Sequence, residues 1–134
     1  VEQFAIDFVI RHEKSREWEI DEVWKRKDGS GFDIRSVSPP DAHGIREVRR
    51  IEVKGRALEE GEVHLSHNEW RKAERLRETY WLYVVWDPLS PNPELHIIQN
   101  PARVLDHAKR EVIATRFFEI SSEAVQTAAS RAGR

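Results

Sequence analysis

The segment YWLYVVW, Tyr80–Trp86, is apolar at both sets of alternating positions, so it lacks the polar face of a strand wetted on one side. Such a strand is buried on both faces, commonly beside a parallel neighbour, and it predicts the centre of a sheet. Parallel neighbours require a crossover, and the preceding residues supply one. SHNEWRKAERLRE, 66–78, opens with the Ser-x-x-Glu spacing of a capping box at Ser66 and Glu69 and carries Trp70, Ala73 and Leu76 at helical spacing.

Upstream of that helix, VRRIEVKGR (48–56) reads as a strand and EVHLS (62–66) as a short further one. WEIDEVW (18–24) alternates, KDGSG (27–31) has turn chemistry, and FDIRSVS (32–38) alternates again, which makes a hairpin. The two prolines of PPDAHG (39–44) lack amide donors, so this segment is a loop leading into the third strand. The opening VEQFAIDFVIRHEK places Phe4, Ala5, Phe8 and Val9 on one stripe of a helix ending near Lys14, with Glu2 in its first turn. The order is helix, three-stranded meander, helix, strand, which is an α/β fold. Additional C-terminal elements follow: a strand at ELHIIQ (94–99), a short helix at NPARVLDHAK (100–109), an edge strand at EVIATRFFEI (111–120) and a closing helix at SSEAVQTAASR (121–131).

A chain of 134 residues supports one core, and 39% hydrophobic with 34% charged residues is a globular composition. The formal net charge of -2 argues against a uniformly basic surface, so any DNA contact must be local. The absence of cysteine excludes disulfides and thiolate metal sites and accords with a cytoplasmic protein. No apolar run approaches a membrane span, so no membrane partner is expected. The chain starts at Val1 directly inside an amphipathic pattern, which leads us to expect one domain, 1–134, excised from a larger protein.

Glu52 and Lys54 share one face of the third strand, alternating with Ile51 and Val53. Asp33 lies on the second strand, where pairing with the third brings it to the same face, beside Glu52. Two carboxylates and a lysine in that arrangement suit phosphodiester hydrolysis. Hard oxygen ligands from Asp33 and Glu52 match Mg²⁺ or Mn²⁺, and Lys54 can orient a water or stabilise the phosphoryl transition state.

The segments GFDIRS, RIEVKGR, LSHNEWRKAE and YWLYVV together resemble the C-terminal domain family of protein NO VEIN, from Glu2 to about Pro101. That resemblance implies the PD-(D/E)xK nuclease superfamily, with its restriction-endonuclease-like core of helix, three strands, helix and strand. It also implies attachment to larger proteins, helicase-like ATPases among them, and a DNA substrate. Carried over by position, Asp33 stands for the first aspartate, Glu52 for the second acid and Lys54 for the lysine. Glu2 takes the place of an opening-helix acid that helps to hold metal, and Asn68 and Glu69 fall where a polar residue begins the second helix. Phe32 departs from the pattern by replacing the proline before the aspartate.

Each residue also has a plainer role. Glu52 and Lys54 could form an exposed ion pair worth about 0–1 kcal/mol. Glu69 is accounted for as a helix cap, and Glu2 as a first-turn acid favouring the helix dipole. The tryptophans are mainly core, His64 and His67 are surface residues, and Arg71, Arg75 and Arg77 form a solvated face close enough to the site to meet phosphates. Two functions therefore compete on one fold: a Mg²⁺-dependent nuclease domain of a DNA-processing or defence protein, and a nuclease-like module that binds DNA or a protein without cutting.

Overall fold

The computed structural model describes residues 2–27, 29–58, 61–113 and 118–132. Helix α1, Glu2–Ser15, leads into β1, Glu19–Asp21, a 3₁₀ turn at Val23–Arg26, then β2, Ile34–Val37, and β3, Val48–Arg56. Helix α2, His67–Leu76, crosses to β4, Tyr80–Trp86; then come β5, Glu94–Gln99, α3, Pro101–Val104, and α4, Ser122–Ala132. The fold is mixed α/β, with the sheet ordered β1-β2-β3-β4-β5.

The first three strands form the antiparallel meander, with Ile34 opposite Ile51 and Arg35 opposite Arg50. Across the α2 crossover, β4 runs parallel to β3, pairing Glu52 with Leu82 and Lys54 with Val84. β5 then pairs antiparallel to β4. β4 is buried nearly throughout, as its sequence requires, but the middle strand is β3, because the meander places two strands on its other side.

One face of the sheet carries Ile34, Ile51, Val53, Trp81, Tyr83 and Val85 against Ala5, Ile6 and Val9 of α1. The buried stripe of α1 is Ala5, Ile6, Val9 and Glu13, whereas Phe4, expected on it, is 55% exposed. Ile6 and Glu13 complete the inward face in its place. The buried Glu13 carboxylate accepts hydrogen bonds from Tyr83 Oη at 3.1 Å and from Arg16 at 3.1 Å, and it contacts His12 Nδ1 at 2.9 Å. Arg49 completes this network by donating to Tyr83 Oη at 2.9 Å while its guanidinium lies 3.7 Å over the Trp81 ring.

The strand expected over 18–24 stops at Asp21. The chain turns so that Val23 is buried and the Trp24 amide donates to the Asp33 carbonyl at 2.8 Å. The strand expected at 62–66 is absent, since both edges of β3 and β4 are occupied and the segment serves to deliver Ser66 to the start of α2. Of the edge strand expected over 111–120, residues 114–117 lie outside the described residues, and 111–113 and 118–120 are not strand. Among the described residues, no helix is long and apolar enough to cross a membrane.

Candidate active site

The opposite face of the sheet, turned toward α2, carries the polar residues of β3. Asp33 precedes β2 by one residue instead of lying within it. Its amide donates to the Ile51 carbonyl and its Oδ2 accepts from the Val53 amide, both at 2.8 Å. These bonds grip β3 on both sides of Glu52, fixing the two acids as neighbours one step beyond the Ile34–Ile51 pair. Their carboxyl groups are close enough for each to shift the other's titration.

Glu52 is 2% exposed, and Lys54 Nζ lies 3.2 Å from its Oε2. The same ammonium is 3.0 Å and 3.2 Å from the two carboxylate oxygens of Glu69. Glu69 arrives from α2. Its Oε1 accepts from the Ser66 amide at 2.8 Å, and the Ser66 hydroxyl accepts from the Glu69 amide at 3.1 Å, completing the capping box. Glu69 is thus both cap and lysine partner, and the sequence betrayed only the first role. Glu2, at the exposed start of α1, lies near enough to feel Asp33, Lys54 and Glu69.

The four expected site residues, Glu2, Asp33, Glu52 and Lys54, therefore converge, and Glu69 joins them. Four carboxyl groups face one ammonium, and the titration of each records that imbalance. Burial, then the charge of Asp33, pushes Glu52 up to about 10, so at neutral pH it holds a proton. Burial likewise raises Asp33, and burial with the charge of Asp33 raises Glu2. Burial alone would lower Lys54, yet Glu52 and Glu69 outweigh it and raise the ammonium. Burial opposes ionisation of Glu69 too, but the Ser66 amide, a hydrogen bond from Glu52 and the Lys54 charge together lower it. At neutral pH the counter-charge of Lys54 is therefore Glu69, and the shorter contacts agree with that assignment. Tyr80, buried beneath these acids, is also raised, and its hydroxyl donates to the Gly31 carbonyl at 2.8 Å.

A cleft of about 220 Å³ opens beside this group, lined by Asp33, Glu52, Glu69, Asn68, Trp24 and Lys27 among others. Gly31 forms part of its wall at φ +80°, where an added Cβ would sit 3.0 Å from Lys72 Cβ, so the loop passes α2 only as glycine. His67 pairs with Glu111 at the surface, and Arg71, Arg75 and Arg77 are exposed.

Among the described residues, no three His, Cys, Asp or Glu side chains form a ready-made metal cage. The donor set nevertheless fits Mg²⁺. It consists of hard carboxylate oxygens beside a cleft, and this ion keeps several waters, needing one or two protein carboxylates. To serve as a ligand Glu52 would have to lose its proton, a common requirement of carboxylate ligands.

Residues 1–98 match the family model described as Protein NO VEIN, C-terminal. No curated protein and no solved structure matches the chain.

Proposed function

The chain belongs to the family Protein NO VEIN, C-terminal, and on that premise we propose that it is a Mg²⁺-dependent phosphodiesterase domain of the PD-(D/E)xK type, acting on nucleic acid as a module of a larger DNA-processing protein. The observation that carries this reading is the burial of Glu52 against Asp33, with two further acids nearby, at the wall of an open cleft. Uncompensated carboxyl groups of this density are costly to bury, and a divalent cation is the partner that would relieve them.

Asp33 and Glu52 would hold the ion, with Glu2 as a further acid near them. A bound Mg²⁺ would supply an acidified water and neutralise charge on the phosphoryl oxygens. Lys54, held by Glu69 within reach of Glu52, stabilises negative charge developing on the phosphoryl group and orients the attacking water. Glu69 and the Ser66 cap hold that lysine against a rigid helix end, so its ammonium is placed before substrate arrives.

One observation favours the second reading, a module that binds without cutting: Lys54 is already engaged by two acids, the arrangement of a structural ion pair. Incubation of plasmid DNA and of labelled oligonucleotides with the protein separates the two. Cutting that needs Mg²⁺ or Mn²⁺ and disappears in Asp33→Asn and Glu52→Gln supports catalysis, whereas binding with no cutting under any metal supports the second reading.

A further inference from the structure

Two residues along from Asp33 and Glu52, on the same face of the sheet, Arg35 stands directly opposite Arg50. Like charges directly across an antiparallel pair destabilise it, and natural sheets normally offset them with acids. Here neither guanidinium has an ion-pair partner among the described residues. The nearest candidate is Asp21, which pairs with Arg35 across β1, but its carboxylate is bound by Arg26. Arg35 is exposed and Arg50 half-buried, so both keep access to solvent. The next partner in the row, across β4, is Tyr80, whose hydroxyl is spent on Gly31.

We propose that Arg35 and Arg50 form a phosphate clamp that holds a polynucleotide strand one row away from the carboxylates. This rests on the proposed function for its choice of ligand. The distance supports that choice: two strand residues span about 6.6–6.8 Å, roughly one nucleotide step of an extended backbone, so adjacent phosphates would meet the clamp and the acids together. Guanidinium groups suit phosphate because their planar fork donates two parallel hydrogen bonds. The clamp also specifies the substrate class. A phosphomonoester or free nucleotide has no second backbone phosphate to occupy it, so the site is built for polymer.

The test measures fluorescence anisotropy of a labelled DNA oligonucleotide, single-stranded and as duplex, in EDTA over a series of salt concentrations. Wild type is compared with Arg35→Gln, the Arg35→Gln/Arg50→Gln pair and Arg103→Gln on α3 as a control. The double variant is expected to lower the slope of log affinity against log salt by roughly 1.4 for the single strand or 1.8 for the duplex. Arg35→Gln alone, at an exposed position that does not threaten folding, gives about half that change, and Arg103→Gln gives none. Melting temperatures of the clamp variants should equal or exceed wild type, since a like-charge pair is removed. Equal slopes in wild type and the double variant overturn the clamp, as does a wild type that binds neither DNA form. A clamp-dependent slope without any cutting in Mg²⁺ leaves the clamp standing and defeats the nuclease.

Discussion

Lys54 Nζ lies 3.0 Å and 3.2 Å from the two oxygens of Glu69, a residue that also closes the N-terminal cap of α2. A helix end and the lysine of a neighbouring strand are thereby joined through one carboxylate. Gln can replace Glu in a capping box but carries no charge. Glu69→Gln should therefore keep the helix, with a melting temperature near wild type, while loosening Lys54 and slowing cleavage without weakening DNA binding. Ser66→Ala should do the reverse, costing about 0.5–2 kcal/mol of stability with a smaller effect on rate. Thermal melts and single-turnover cleavage on the two variants check the separation.

Glu13 and Glu52 are both buried glutamates, and they should respond oppositely to substitution. Glu13 is paired by Arg16 and Tyr83, so Glu13→Ala leaves the buried Tyr83 hydroxyl without that acceptor, while the partly exposed Arg16 returns to water, and it should cost about 1–3 kcal/mol. Glu52 is crowded by other acids, so Glu52→Gln in metal-free protein should be neutral or stabilising. Urea denaturation of the two variants in EDTA gives the comparison directly.

The metal-free protein should lose stability as pH rises. Glu52 has a folded pKa raised from 4.5 to about 10, so its stabilising proton is fully bound in both states only below 4.5. Above that pH the unfolded chain releases the proton while the folded chain keeps it, and stability declines by up to about 1.4 kcal/mol per pH unit through this window. Asp33 and Glu2, also raised, add the same sign just above their ordinary values. Glu69, lowered, acts only below its ordinary value, and Lys54, raised, only above 10.5. Melts in EDTA from pH 5 to 9 should slope downward in wild type and flatten in Glu52→Gln.

Mn²⁺ should reverse that decline. At 100 times its Kd a ligand adds about 2.7 kcal/mol to stability, and binding that displaces the Glu52 proton strengthens as pH rises. Calorimetric titration should find binding in wild type, tighter at pH 8 than at pH 6, and a large loss in Glu52→Ala. Equal binding by the two proteins would remove Glu52 from the metal site.

The sequence made the order of elements legible because their periodicities are unambiguous. Tyr80–Trp86 is apolar on both faces, and the capping box marks the start of α2 to the residue. It also placed Asp33, Glu52 and Lys54 together, since alternation and a hairpin fix which residues share a face. What it hid are features decided between elements. The alternation of 18–24 does not say that the Trp24 amide will leave the ladder for the Asp33 carbonyl, and the apolar residues of 62–66 do not say that β3 and β4 already have a neighbour on each side. Of the expected α1 stripe, Ala5, Phe8 and Val9 pack on the core and Phe4 does not; Ile6 and Glu13 complete the inward face, and no hydropathy pattern assigns a charged residue there. Glu69 was fully explained by its cap, which concealed that the same carboxylate can also accept from Lys54.

The most direct measurement is single-turnover cleavage of DNA in Mg²⁺ by wild type and Lys54→Ala, with Mn²⁺ affinity measured on both proteins. The domain should be assayed alone and, because DNA delivery can depend on neighbouring domains, also within its full-length parent. Removing one group that stabilises transition-state charge should slow cleavage by about 10²–10³-fold while leaving metal affinity and melting temperature close to wild type. Cleavage by Lys54→Ala at the wild-type rate would contradict a catalytic site at Asp33, Glu52 and Lys54.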